Sequence, residues 1–295
     1  MILVLGSGES GVGSALLAKS KGLSVFVSDS SLIEKNYKEL LLKNNIKFEE
    51  NGHVQANKLN VDYVIKSPGI PDTATIIKQL TNNQTQIISE IEFASKFTDA
   101  NIIGVTGSNG KTTTTTIIYE ILKSENIDVE IAGNIGVSFA SKVAASNARN
   151  YVLELSSFQL DGIIDFNPHI AIMTNLSPDH LDRYNNSFEN YINSKFNIIK
   201  NQSEKDYFIY DLDDVKIVQF IKNNIHKIKS NLLPFSTIKT TDSVTYLEDK
   251  NIISIINKNK IIMPTNNFPL IGTHNLKNAM AATTVANLLK IRKET

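Results

Sequence analysis

The sequence predicts an α/β chain: an N-terminal doubly wound parallel sheet, then an α/β domain built on a phosphate loop, with a small β-rich edge. Three observations predict it. Short apolar runs alternate with helix-period segments along most of the 295 residues, the pattern of strands covered by helices. A glycine turn, Gly6-Ser-Gly8-Glu-Ser-Gly11, follows the first apolar run. A second, Gly107-Ser-Asn-Gly-Lys-Thr-Thr113, follows the run 101–105 and opens a helix, in the strand–loop–helix order that phosphate binding requires.

Composition bounds the rest. The length suits about two domains with ample core. Lys+Arg and Asp+Glu are 30 each, so the net charge is zero and nothing suggests a nucleic-acid or membrane-surface partner. There is no cysteine, hence no disulfide framework, and a reducing compartment fits. Met1-Ile-Leu-Val-Leu5 runs into glycines without a basic stretch, and no apolar run approaches ~18 residues. The expectation is a soluble cytoplasmic protein without signal peptide or membrane span.

Residues 2–5 read as a buried strand, with a helix behind the first glycine turn and a second strand at 23–27 ending at Asp29 and Ser30. This G-x-G-x-x-G fingerprint with a following acid reads as Rossmann-like. It suits NAD, the diphosphate of another nucleotide, or a ligand-free connection. A helix at 33–43 precedes a strand at 61–65, which ends at Ser67-Pro-Gly69, either a wall of the first site or a plain turn. Helix 73–82, strand 87–88 and helix 89–97 complete a first domain over 1–97, leaving 98–295 as the second.

In the second domain, Gly107 and Gly110 let backbone N–H groups turn onto an anion, Lys111 can reach the β/γ-phosphates, and the Thr112 hydroxyl can ligate Mg²⁺. Val105 stands where G-x-x-x-x-G-K-[ST] wants glycine, so the loop is a tighter variant. A helix over 111–123 contains five successive threonines; threonine is a mediocre helix former, so packing and ligand contacts must hold this turn. Strand 129–132 leads to Gly133-Asn-Ile-Gly136. Glu154 interrupts an apolar run in Tyr151-Val-Leu-Glu-Leu-Ser-Ser-Phe-Gln159, where a carboxylate needs a metal or a salt bridge. Strand 170–173 ends in a polar cluster holding Asp179 and His180; His53, His169 and His226 have no comparable company. Helix 187–200 carries Lys195 beside its apolar face, by default a snorkelling lysine. Strand and helix repeat from 207, hairpins at 232–263 are expected to cover one sheet edge, and a helix runs from Asn275 to about 291.

Five separated motifs, in order, resemble the Mur ligase family: Gly107–Thr113, Gly133–Gly136, Glu154-Leu-Ser-Ser-Phe-Gln-Leu160, Asp179-His-Leu-Asp-Arg-Tyr184 and Gly272-Thr-His-Asn-Leu-Lys-Asn278. The stretches at 154–160 and 67–71 resemble its D-glutamate-adding branch. The resemblance implies an ATP-dependent amide-bond ligase of peptidoglycan precursor synthesis, joining D-glutamate to UDP-N-acetylmuramoyl-L-alanine through an acyl phosphate. It implies that Gly8, Glu9, Ser10, Asp29, Ser30 and Ser67 hold the uridine diphosphate, with Asn134 and His180 along the acceptor. Gly107, Ser108, Asn109, Gly110, Lys111, Thr112 and Thr113 hold the ATP phosphates; Asn275 and Asn278 face the adenine. Thr112 and Glu154 carry one Mg²⁺, and His180 with a carbamylated Lys195 a second, so Lys111, Glu154, His180 and Lys195 form the catalytic set. A monomer is expected. Members carry a third, amino-acid-binding domain, which is expected to be missing after Thr295, so that ligation by this chain alone is weak. A nucleotide-binding module or inactive remnant is the alternative; an NAD oxidoreductase would leave the 107–113 loop unexplained.

Overall fold

In the computed structural model, which describes residues 1–265 and 272–291, two sheets form. The first comprises β1 (Ile2–Leu5), α1 (Glu9–Ser20), β2 (Val25–Ser28), α2 (Lys35–Lys43), β3 (Lys47–Glu49), β4 (Tyr63–Lys66), α3 (Thr75–Asn82), β5 (Gln86–Ser89) and α4 (Glu90–Ser95). Its order is β3-β2-β1-β4-β5, every pair parallel. All four residues of β1 and of β2 are buried, as expected of strands covered on both faces. Leu3, Leu5, Phe26, Val64, Ile77 and Leu80 form the core beneath α3. The strand order reverses at β1, so ligands are expected beyond the carboxyl ends of β1 and β4. The third glycine of the fingerprint permits this packing: a Cβ on Gly11 would stand 1.9 Å from the Gly6 carbonyl oxygen.

The second sheet begins with β6 (Asn101–Thr106), followed by α5 (Lys111–Ser124), β7 (Val129–Gly133), α6 (Phe139–Ala145), β8 (Asn150–Glu154), α7 (Ser157–Asp161), β9 (Ile170–Met173), α8 (Phe188–Phe196), β10 (Tyr207–Asp211), α9 (Val215–Asn224) and β11 (Asn231–Ser236). Then come β12 (Thr245–Glu248), β13 (Asn251–Ile256), β14 (Asn259–Pro264) and α10 (Thr273–Leu288). The order is β14-β13-β12-β11-β10-β9-β6-β8-β7. The expected hairpin edge is β12–β13–β14, antiparallel on an otherwise parallel run. Side chains of α5 (Ile118, Leu122) and α10 (Met280, Val285) bury against Val105, Ile172 and Ile209 of the strands. Thr114 and Thr115 are buried, so packing holds the middle of the threonine run, whose ends, Thr112 and Thr116, are exposed. The last expected motif, Gly272–Asn278, lies within the described residues.

Contacts divide the chain into two compact units that are not contiguous in sequence, unlike the division expected at 97/98. One holds Met1–Asp99 with Ala132–Asn147 and Ser157–Phe166; the other holds Ala100–Ile131, Ala148–Ser156 and the chain from Asn167. Three carboxylates explain the grouping within the first. Glu9 Oε1 accepts from Ser138 N at 2.9 Å and from the hydroxyls of Ser138 and Ser141. Glu90 accepts from Ala140 N. Glu92 Oε2 accepts from the backbone N–H groups of Ile164, Asp165 and Phe166 at 2.9–3.0 Å. Glu9 and Glu90 thereby hold α6 at its N-terminal end, where backbone N–H groups lack intrahelical partners.

Candidate functional site: an anion cleft and a phosphate loop

In the first unit a cleft of about 390 Å³ lies beyond β1, β2 and β4, lined by Gly6, Asp29, Ser30, His53, Gly69 and Ile70 among others. Gly8 and Ser10 sit at the start of α1, Gly8 being its N-cap. Without a side-chain cap, the first-turn N–H groups can take an anion. Gly6 has φ +92°, and a Cβ there would lie 2.5 Å from Ser67 Oγ. That hydroxyl is buried with no hydrogen-bond partner among the described residues, a polar atom in want of a ligand group. Asp29 and Glu9 both make hydrogen bonds within the unit. Asp29 Oδ2 accepts from Ser7 N and Ser7 Oγ at 2.7 Å and its Oδ1 from Ser31 N; Glu9 holds α6. Asn134 is exposed in the turn before α6. His53, with no sequence signal, lines the cleft with a ring nitrogen 2.7 Å from Ser28 Oγ.

The second unit holds Gly107–Thr113, Glu154, Asp179–Tyr184 and Gly272–Asn278, whereas Gly133–Gly136 belongs to the first. Gly107 has φ +147° and Gly110 φ +80°. A Cβ on Gly107 would meet Thr174 Oγ1 at 1.9 Å, and one on Gly110 would meet Asn278 Oδ1 at 2.4 Å. Glycine is therefore required twice over, by conformation and by space. The loop is held from 174–177: Ser108 N donates to Asn175 O, Asn109 N to Asn175 Oδ1, and Ser108 Oγ to Ser177 O, each at 2.9 Å. Thr174 Oγ1 donates to Asn109 O at 2.6 Å. Sequence reasoning missed Thr174 and Asn175 as loop supports, because only the third dimension brings them to the glycines.

Lys111 Nζ donates to Gly107 O and Ser108 O at 3.0 and 2.9 Å. Burial lowers its pKa, against the opposing pull of the Glu154 and Asp179 charges. Thr112 and Thr113 open α5, and Thr112 Oγ1 donates to Glu154 Oε2 at 2.6 Å. Lys195 is buried, donates to Gly107 O at 2.8 Å and lies 4.7 Å from the centre of the Tyr191 ring; Tyr191 in turn lies 3.2 Å from Ser108 Oγ. His180 adopts φ +49° and places Nε2 3.5 Å from Asp179 Oδ2 on the surface. Asn278 is buried against Gly110, and Asn275 is half-buried one turn earlier.

The metal expectation can be tested on these donors. Thr112 and Glu154 converge two hard oxygens beside a phosphate loop, which fits Mg²⁺, an ion that takes one or two protein oxygens plus phosphate and water. A second site does not fit the side chains as they stand: the Lys195 amine is a donor. Among the described residues no group of three His, Asp or Glu is arranged to hold a metal. No helix of the described residues is long and apolar enough to cross a membrane.

Known proteins match both parts of the chain. The Mur ligase middle domain matches residues 105–286 and the MurD N-terminal domain residues 1–76. The UDP-N-acetylmuramoylalanine--D-glutamate ligase of Christiangramia forsetii is 50% identical over 294 residues, covering 100% of this chain and 66% of the relative. The chain thus spans just under two thirds of that relative's length. Among solved structures, a murein peptide ligase from Psychrobacter arcticus superimposes with TM-score 0.64 at 20% identity, covering 98% of this chain and 65% of the other. A MurF ligase from Thermotoga maritima, in complex with ADP, does so with TM-score 0.51 at 17% identity, covering 93% and 64%. A cradled phosphate loop with Lys111, Thr112 and Glu154 around it, matched by the middle domain over most of its length, places the chain in the Mur ligase family.

Proposed function

We propose that the chain supplies the acceptor- and nucleotide-binding parts of an ATP-dependent ligase that joins D-glutamate to UDP-N-acetylmuramoyl-L-alanine in the cytoplasm. The single observation that carries the reading is the convergence of Lys111, Thr112 and Glu154 on the loop after β6. The name of the Christiangramia forsetii relative supports the substrate assignment, and the ADP bound to the MurF ligase supports the nucleotide. Gly8 and Ser10 at the α1 N-terminus, with Ser30 and Ser67, hold the uridine diphosphate in the cleft of the first unit.

In this reading an acceptor carboxylate oxygen attacks the γ-phosphorus, ADP leaves, and an acyl phosphate forms. The D-glutamate amine then attacks the acyl carbon, and inorganic phosphate departs from the tetrahedral intermediate. Lys111 and the N–H groups at Gly107–Thr113 hold the triphosphate and offset the repulsion between it and the incoming carboxylate. Thr112 and Glu154 would hold Mg²⁺, which supplies charge neutralisation at the transferring phosphoryl group. Asn278, against Gly110, fixes the loop's far side, and Asn275 lies on the same helix.

Calorimetry distinguishes the readings: ATP and UDP-N-acetylmuramoyl-L-alanine are expected to bind and NAD is not. Binding of NAD with neither of the others would overturn the proposal. Lys195 is proposed to act as its carbamate, formed when the neutral amine attacks CO₂ and loses a proton, so that a donor becomes an anionic oxygen ligand. With ¹³C-bicarbonate, a carbamate carbonyl resonance is expected in the wild type and absent in Lys195→Ala; identical spectra refute it.

A further inference from the structure

We propose that the acidic run Asp211-Leu-Asp-Asp214, at the carboxyl end of β10, is the positioning element of the nucleotide site. It acts on one side through Lys277 and Asn278, and on the other through Leu176 and the phosphate loop. The inference rests on the reading that this loop binds ATP, and it assigns a role to four residues that touch neither glycine nor lysine of the loop.

On the first side, Lys277 Nζ lies 2.8 Å from Asp211 Oδ2 and 3.2 Å from Asp213 Oδ2. Lys277 occupies the early turns of α10, beside Asn278, whose side chain packs on Gly110. A cation near a helix N-terminus opposes the helix dipole, so it needs such partners to stay there. The carboxylates are themselves fixed. Asp211 is 2% exposed and its Oδ1 accepts from Asp213 N at 2.9 Å. Asp213 accepts from Ser236 Oγ at 2.6 Å, Thr237 N at 3.0 Å and Thr237 Oγ1 at 2.7 Å. Burial alone would raise the Asp213 carboxyl, yet these hydrogen bonds and Lys277 hold it at about 2. The triad is thus a charged anchor tied to the ends of β10 and β11.

On the second side, Asp214 Oδ1 caps α9 by accepting from Lys216 N and Ile217 N. A cap needs no more than that oxygen. The other, Oδ2, accepts from Leu176 N at 2.7 Å. Leu176 stands between Asn175, which holds Asn109, and Ser177, which holds Ser108. One four-residue run therefore sets both walls against which the loop is placed. A solvated ion pair would give neither the burial of Asp211 nor the link to Leu176.

The test compares wild type, Lys277→Met and Lys277→Arg in the whole protein, with calorimetric affinities for Mg²⁺–ADP and for the UDP-linked acceptor and thermal unfolding of each. Displacement of a wall by a fraction of an ångström predicts a loss of about 10-fold in ADP affinity for Lys277→Met, with Lys277→Arg close to wild type and acceptor affinity unchanged. Should Lys277→Met not fold, Lys277→Gln, a shorter donor, is the second variant, with a loss of about threefold expected. Wild-type ADP affinity in a folded Lys277→Met or Lys277→Gln overturns the inference. So does an equal loss of ADP and acceptor affinity with lowered thermal stability, which would mark a merely structural role. If the wild type itself fails to bind ADP, the proposed function falls and this inference with it.

Discussion

Lys111→Ala is expected to lower kcat for phosphate release by roughly 10²–10³-fold, the cost of removing one preorganised charge from a phosphoryl-transfer site. The wild-type amine holds two loop carbonyls, Gly107 O and Ser108 O, at about hydrogen-bond distance. A triphosphate entering the loop competes for that cation, so the same nitrogen serves as internal brace in its absence and as counter-charge in its presence. Alanine removes both functions. The acceptor's uridine diphosphate is assigned to the first unit, and its affinity should be unchanged in the variant. Turnover within about fivefold of wild type would contradict the role given to Lys111.

The second large effect concerns stability. Glu90 is 1% exposed and accepts from Ala140 N at 2.5 Å, while its other oxygen is buried without a hydrogen-bond partner among the described residues. Burial pushes its carboxyl up to about 7 from 4.5; the nearby Glu9 charge adds to the rise, and the N–H groups of Ala140 and Phe139 oppose it. A raised carboxyl pKa means that the folded state holds the proton more tightly than the unfolded chain. The stabilisation is complete below about pH 4.5 and is lost as pH climbs through about 7, to a total of at most about 3 kcal/mol. Glu90→Gln keeps an acceptor for Ala140 N and has no proton to lose. Its urea midpoint should therefore change less than that of the wild type between pH 5 and 8, with the variant the more stable at pH 8. Parallel pH profiles for the two proteins would show that Glu90 does not titrate in this range.

What could be read in advance from the residues was what is local in the chain. The glycine turns after β1 and β6 announce themselves because conformation, close approach and helix start are dictated within a few positions. The edge of β12–β14 was legible for the same reason, as short β-rich runs separated by turn residues. β3, at Lys47–Glu49, was not, because three residues show no periodicity. The supports of the loop were also invisible. Asn175 reaches Asn109 across 66 positions and Lys277 reaches Asp211 across another 66, and no spacing rule connects residues so far apart. Glu9 was legible only in part: its place in the fingerprint suggests a ligand, and nothing nearby in the chain announces that its carboxylate accepts from Ser138 N.

The three carboxylates that gather 132–147 and 157–166 into the first unit also decide what can be cut. The backbone passes from one unit to the other at 99/100, 131/132, 147/148, 156/157 and 166/167, so no single scission frees either as a continuous segment. A polypeptide ending at Asp99 would keep Glu90 and Glu92 and discard the backbone N–H groups of Ala140, Ile164, Asp165 and Phe166 that they bind. Both side chains, buried in the whole chain, would then stand open to water without those donors, and the apolar surface beside them would be uncovered. The grouping by contacts therefore differs from the boundary drawn by reading along the chain: it places residues encoded after the phosphate loop with the first sheet.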